Sequence, residues 1–320
     1  MADERQKIRA AVYLTHPEVA CWSFSKANAI ALSERCPGIE PVLCPDTPSF
    51  LEALPAAEIA LVWRFEQAWF QRATCLRWIA TPAAGRDYFH ITPPSEVRVT
   101  YGAFHGELMA ETVVGMILGQ CRGLFAAQRL QKHDAWPRAE LAQQMRLLRG
   151  ATVTILGFGH IGEWIARLLA PFGVRIVGVR RTKTVQPAFL RDTDRIVTLD
   201  ELDQVLTETH HLVATLPGGR ATDLLMDARR LALLPREAIV YNIGRGNVFD
   251  EGALAAALAA GKLAGACLDV FREEPLQKDS PLRECPNTLL LPHCSAIAPK
   301  YLDIYIREFA REYATWAAAR

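Results

Sequence analysis

The chain has 320 residues, half of them hydrophobic, and 36 Lys and Arg against 35 Asp and Glu leave a formal net charge of +1. That length favours two domains with sizeable cores, and the near-neutral balance excludes nucleic acid or an anionic membrane surface as the main partner. No apolar run approaches the ~18 residues that span a bilayer, and Met1-Ala2-Asp3-Glu4-Arg5 lacks the basic-then-apolar plan of a secretory leader, so a cytoplasmic protein is expected.

Along the first hundred residues, short apolar runs alternate with helical patterns: Ile8 to Leu14, Ala60 to Trp63, Leu76 to Ala80 and Val97 to Tyr101. Such alternation predicts an α/β lobe with a parallel sheet. A long helical segment from Gly106 to about Gln131 is placed to carry the chain into a second lobe. Strand–helix alternation restarts at Gly150 and runs to Pro292. The last twenty residues read as an amphipathic helix, with Leu302, Ile306, Phe309, Tyr313 and Trp316 at spacings of three and four. Lying beyond the last strand of the second lobe, this helix is expected to pack back on the first. The domains predicted are 1–102 plus 297–320, and 103–296.

The second lobe opens with a strand pattern, Thr152-Val153-Thr154-Ile155-Leu156, followed at once by Gly157-Phe158-Gly159-His160-Ile161-Gly162 and a helical run from Glu163 to Phe172. In that context Gly157 permits a tight turn, Gly159 lets the backbone approach a pyrophosphate, and Gly162 allows close helix–strand packing. The phosphates would sit on the helix N-terminus. The next strand, Val174 to Val179, ends in Arg180-Arg181-Thr182-Lys183. An acidic residue there would read the ribose hydroxyls of NAD, whereas arginine accommodates a 2′-phosphate. NADP is therefore expected as cofactor, contacted by Arg180, Arg181 and Lys183, with NAD the alternative.

Three further segments each follow an apolar strand pattern: Asn242-Ile243-Gly244-Arg245-Gly246, then Asp269 to Leu276, then Pro292-His293-Cys294-Ser295-Ala296. In open parallel sheets, ligands bind outside the carboxyl ends of the strands. Arg245, Glu274 and His293 thus form a fixed cation, an acid and a titratable base, a set that suits hydride chemistry on a small carboxylate-bearing substrate. Eight cysteines are scattered without a C-x-x-C pair or metal-ligand spacing, so no metal site is expected. Inside the glycine loop, Phe158, His160 and Ile161 are expected to touch the cofactor, His160 brushing the pyrophosphate, whereas the His210-His211 pair precedes an apolar strand without metal-ligand partners.

The glycine loop and these three segments, in this order, resemble the D-isomer-specific 2-hydroxyacid dehydrogenases over at least residues 80 to 296. Within that family, Ala60-Leu61-Val62-Trp63 and the Arg180 to Lys183 run are similar to the NADPH-dependent glyoxylate/hydroxypyruvate reductases. The resemblance implies two Rossmann-like or flavodoxin-like lobes with parallel sheets and an active site in the interdomain cleft. It implies that Arg245 holds the substrate carboxylate and 2-oxo oxygen, that His293 is the acid/base, and that Glu274, rather than Glu273, is its carboxylate partner. Asp269 is expected near the nicotinamide carboxamide, with Leu216, Pro217 and Ile243 also touching the cofactor. In the first lobe, the N–H groups of Ala84 and Gly85 are expected to bind the substrate carboxylate, with Trp63 as a pocket wall. Arg86 stands where the family usually has an aliphatic residue. Trp136 resembles the tryptophan near the family's dimer contact, so a homodimer through the cofactor domain is expected.

The reading that follows is reduction of a small 2-oxo acid to the D-2-hydroxy acid by NADPH. An NAD-dependent D-2-hydroxyacid or phosphoglycerate dehydrogenase is the alternative within the family. A cofactor-sensing, corepressor-like interaction protein is the alternative from another class.

Overall fold

The computed structural model describes residues 7–86, 89–182 and 184–319. The chain divides into two compact units, one formed by residues 1–105 and 297–320 and the other by residues 106–296.

The first unit is built on a five-stranded, fully parallel sheet of β1 (Ile8–Tyr13), β2 (Ile39–Leu43), β3 (Ile59–Val62), β4 (Trp78–Thr81) and β5 (Arg98–Tyr101), in the order β2-β1-β3-β4-β5. β3 and β4 are buried at every position, the mark of strands covered on both faces. β2 is an edge strand and contains Pro41, a position where the missing N–H costs no ladder bond. Helices α1 (Lys26–Arg35) and α2 (Thr47–Ala53) follow the first two strands; both begin with capping boxes, at Ser25 and Asp46. The amphipathic C-terminal segment forms the last helix of the chain (Tyr301–Ala318), and it joins this unit. Its Phe309 stacks on Trp78 of β4 at 4.8 Å between ring centres, and Trp316 packs on the same indole at 5.4 Å. Burying a side chain such as Phe309 stabilises the unit by about 2 kcal/mol.

The second unit opens with α3 (His105–Cys121), α4 (Leu124–Leu130) and α5 (Arg138–Gln144). The expected single helix from Gly106 to Gln131 is therefore broken. Gly123 takes a φ of +65°, a left-handed conformation that glycine adopts without a β-carbon penalty, and the helix axis bends by 59° there. Among the described residues no single helix is long and apolar enough to cross a membrane.

A seven-stranded parallel sheet follows: β6 (Thr152–Leu156), β7 (Arg175–Arg180), β8 (Arg195–Thr198), β9 (His211–Ala214), β10 (Ile239–Asn242), β11 (Gly265–Leu268) and β12 (Thr288–Leu290). Its order is β12-β11-β10-β9-β6-β7-β8. The chain winds outward from β6 in one direction, then returns to β9 and winds in the other, so the loops after β6 and β9 diverge at a topological switch point. Helices α6 (His160–Leu169), α7 (Leu202–Leu206), α8 (Ala228–Leu231) and α9 (Glu251–Ala259) connect the strands, and the C-terminal helix is α10. Apolar side chains cover both faces: Val153 and Ile155 of β6 join the core on one side, and Leu156 joins the core on the other.

Candidate active site

The loops that leave the carboxyl ends of this second sheet hold most of the residues singled out from sequence. Gly157, immediately after β6, has a φ of +93°, and a β-carbon there would lie 2.9 Å from Thr215 Oγ1. Thr215 in turn donates its hydroxyl to the Gly157 carbonyl at 2.6 Å, which ties the loop after β6 to the loop after β9. Gly162 lets α6 sit on the strand, because a β-carbon there would meet the Gly157 carbonyl oxygen at 2.8 Å. Gly159 is different: a β-carbon would meet no protein atom within 4 Å, and its φ of −100° suits any residue. Its smallness keeps space open over the start of α6, where no side chain caps the first-turn N–H groups. Open space over uncapped N–H groups is what a pyrophosphate requires, so these residues fit a dinucleotide.

His160 and Ile161 begin the helix at that opening, His160 exposed and Ile161 half-buried. Phe158 behaves otherwise than expected of a cofactor contact. Its side chain is fully buried against Gly178 of β7, which has no room for a β-carbon beneath the ring, and its N–H donates to the Val179 carbonyl at 3.0 Å. Phe158 anchors the loop and points away from the opening. Ile243 is likewise buried. Leu216 is half-buried and Pro217 exposed in the loop after β9.

Arg180 is the last residue of β7. Its guanidinium donates to Thr184 Oγ1 at 3.2 Å and lies 3.8 Å from Glu163 Oε1 in the first turn of α6. Arg181 follows it, exposed on a bend. Lys183 lies outside the described residues.

Arg245 follows β10 in a turn held by Asn242. The buried Asn242 amide donates to the Arg245 carbonyl at 3.0 Å and accepts from the Gly244 N–H at 3.2 Å. Arg245 itself donates to the Gly244 carbonyl at 2.8 Å. The next residue, Gly246, lies so close to the Phe271–Arg272 backbone that a β-carbon would overlap it. That approach brings the loop after β10 against the loop after β11. Arg272 makes two further links: its N–H donates to Glu251 at the start of α9 at 2.6 Å, and its side chain pairs with Asp223 of the loop after β9 at 3.1 Å.

Glu274 accepts the Phe271 N–H on Oε1 at 3.0 Å, and its Oε2 lies 2.8 Å from His293 Nδ1. Glu273 is turned elsewhere and accepts from Gln277 at 2.9 Å. Burial pushes the Glu274 carboxyl up. Hydrogen bonds from His293 and the Phe271 N–H, with the charges of His293 and Arg245, more than offset this and hold it below the ordinary glutamate value. An ionised carboxylate only accepts, so Nδ1 carries the hydrogen toward Glu274, and Nε2 is the atom left to exchange a proton.

His293 has a φ of +51°, a left-handed conformation uncommon outside glycine. Its N–H donates to the Asp269 carbonyl at 2.8 Å. The fully buried Asp269 side chain continues along the same turn, accepting from the Cys294 N–H at 2.7 Å and the Ser295 N–H at 3.0 Å. Burial first, then the adjacent Asp269 charge, pushes the Cys294 thiol up. His210 and His211 serve the fold of this unit. His210 accepts the Thr152 N–H at 3.1 Å, and buried His211 meets the Tyr241 hydroxyl at 3.0 Å. No cluster of potential metal ligands exists among the described residues.

The other residues expected to bind substrate lie in the first unit. Trp63 directly follows β3; its indole donates to the Trp22 carbonyl at 2.9 Å and lies 6.1 Å from the ring of Tyr301. Ala84 and Gly85 lie in the loop after β4, and Arg86 rests over the ring of Tyr101 at 5.7 Å.

Comparison with known proteins agrees with this arrangement. Residues 114–295 match the model of the D-isomer specific 2-hydroxyacid dehydrogenase NAD binding domain. The chain is 30% identical over 239 residues to a glyoxylate reductase of Pyrococcus furiosus, covering 72% of this chain and 69% of that protein. It is 33% identical over 239 residues to glyoxylate/hydroxypyruvate reductase B of Pectobacterium carotovorum, covering 72% of each. A solved structure of a D-isomer specific 2-hydroxyacid dehydrogenase from Xanthobacter autotrophicus Py2, in complex with NADPH and MES, superposes with a TM-score of 0.74 at 29% identity, over 96% of this chain and 95% of that one.

Proposed function

The chain belongs to the D-isomer-specific 2-hydroxyacid dehydrogenases, and on that premise we propose that it uses NADPH to reduce a small 2-oxo acid, of the glyoxylate or hydroxypyruvate kind, to the D-2-hydroxy acid. The observation that carries this reading is the pairing of His293 Nδ1 with Glu274 Oε2 at 2.8 Å, on loops packed against the one that presents Arg245. When bound, the reduced nicotinamide supplies the hydride for C2 of the substrate. Arg245 offers a permanently charged planar fork that grips the carboxylate and polarises the 2-oxo group as negative charge develops on its oxygen. His293 delivers a proton from Nε2 to that oxygen, while Glu274 stabilises the imidazolium that makes the delivery possible. In oxidation the same imidazole, neutral, takes the proton back.

Preference for NADPH rests on Arg180 and Arg181, in a segment from Arg180 to Lys183 that contains no acidic residue of its own. The Xanthobacter relative, bound to NADPH, supports this choice. The test is oxidation of NADPH and of NADH by the purified protein across glyoxylate, hydroxypyruvate, pyruvate and phenylpyruvate. Tight NADPH binding without turnover of any of these would favour the cofactor-sensing alternative, and equal use of both cofactors would remove the NADP preference.

We further propose a cytoplasmic homodimer assembled through the second unit. Exposed Leu124, Trp136, Met145 and Leu147 lie along and between α4 and α5 and the strand that follows, an apolar face of the kind that marks an interface. Light scattering on the wild type and on Trp136→Glu with Leu147→Glu checks this; an unchanged mass in the variant would move the interface elsewhere.

A further inference from the structure

We propose that Asp269 is the positioning residue for His293, acting by gripping the backbone of the turn that carries it. This deepens the function proposed above and rests on His293 being the acid/base.

The geometry points to a clamp on three consecutive residues. The Asp269 carbonyl accepts the His293 N–H at 2.8 Å, Oδ1 accepts the Cys294 N–H at 2.7 Å, and Oδ2 accepts the Ser295 N–H at 3.0 Å. Both carboxylate oxygens are thereby engaged in a side chain shut off from solvent. The held turn needs holding, because His293 sits at φ +51°. A side chain other than glycine is strained in that conformation and keeps it only where the surroundings over-determine it. Thr112 of α3 secures the far end by donating to the Ser295 carbonyl at 2.9 Å. Among the described residues, the imidazole itself is tied through Nδ1 to Glu274. Glu274 therefore sets the direction of the ring, and Asp269 sets where the ring starts from.

A carboxylate at this place in the chain also suits a contact to the nicotinamide, and the two roles separate in kinetics. If Asp269 acts through His293, Asp269→Asn, which keeps the volume but turns one acceptor into a donor, lowers kcat by about a hundredfold, the usual cost of a small misplacement of a reacting group. NADPH affinity, read from the quenching of tryptophan fluorescence, stays close to wild type. In a His293→Ala background, Asp269→Asn then costs about twofold or less, because residues acting in one step are not additive. A loss of NADPH affinity that accounts for the fall in activity, or a full additional loss in the His293→Ala background, overturns the proposal. The reading beneath it fails separately: near wild-type turnover of His293→Ala alone would remove His293 as acid/base. Should Asp269→Asn not fold, amide hydrogen exchange on the wild-type protein decides. Cys294 and Ser295 amides protected to the level of β10 and β11 support the clamp, and exchange at open-loop rates refutes it.

Discussion

Glu274 reaches His293 with one carboxylate oxygen, at 2.8 Å from Nδ1, while its other oxygen accepts the Phe271 N–H. His293 and Glu274 come from neighbouring strand ends, so their separation is set by the sheet. Because the Glu274 carboxyl is held below its ordinary value, it stays ionised as pH falls past that value, and the pair is lost only at lower pH. Glu274→Gln removes the charge that favours imidazolium. The kcat/KM for 2-oxo acid reduction should then fall by about tenfold or more, and an unchanged kcat/KM would separate Glu274 from proton transfer.

The Asn242 amide holds the Arg245 backbone carbonyl, which fixes the point from which the side chain leaves the turn. Arg245→Lys keeps the charge and loses the planar two-point grip. It should cut kcat/KM for the 2-oxo acid by about a hundredfold, as loss of a preorganised donor to a developing oxyanion does, with cofactor affinity preserved. Retention of wild-type kcat/KM would remove Arg245 from substrate binding.

Cofactor choice is expected to follow Arg180 and Arg181. Replacing both by alanine should weaken NADPH by about ten- to a hundredfold, the worth of one or two charged hydrogen bonds, and NADH much less. Titration of both cofactors by fluorescence measures this, and equal losses would refute phosphate reading.

Two glycines are expected to respond in opposite ways. Gly246→Ala would drive a β-carbon into the Phe271–Arg272 backbone and force two loops apart, at a cost of about 2 kcal/mol or more. Gly159→Ala meets no protein atom, so its thermal midpoint should match wild type while cofactor affinity falls. A stable Gly246→Ala protein, or full affinity in Gly159→Ala, would contradict this division.

Burial, reinforced by the charges of His210 and Arg146, pushes His211 down to about 3 from 6.5. Between those values the unfolded chain binds a proton that the folded one does not. Stability should therefore fall on acidification below the unfolded value, by about 1.4 kcal/mol per pH unit from this residue. His211→Gln should flatten the dependence of the thermal midpoint between about pH 6.5 and about pH 5. The same slope in the variant would assign the acid sensitivity to other groups.

Much of the second unit was legible because its chemistry sits in short segments directly after apolar strands. Arg245, Glu274 and His293 could be placed from strand ends alone, and the spacing of Leu302 to Trp316 announced a helix that returns to the first unit. What escaped depends on contacts between segments distant in sequence. Phe158 lies within the glycine loop, yet its direction is decided by the space over Gly178. The Asp269 grip on Cys294 and Ser295 joins positions 25 and 26 residues apart, and nothing local announces the left-handed turn at His293. β2 went unnoticed because Pro41 weakens its strand pattern, and only an edge position makes that proline harmless. The bend at Gly123 was hidden because a glycine inside an apolar helical run signals a break only weakly.

The seat of Phe158 over Gly178 has a consequence for retargeting this scaffold. The same strand that carries Gly178 ends in Arg180, so the glycine loop and the arginines expected to choose the cofactor share one support. Positions 180 and 181, at the surface end of that support, are editable. Position 178 is not, since any side chain there would lift the phosphate loop and disturb every dinucleotide alike.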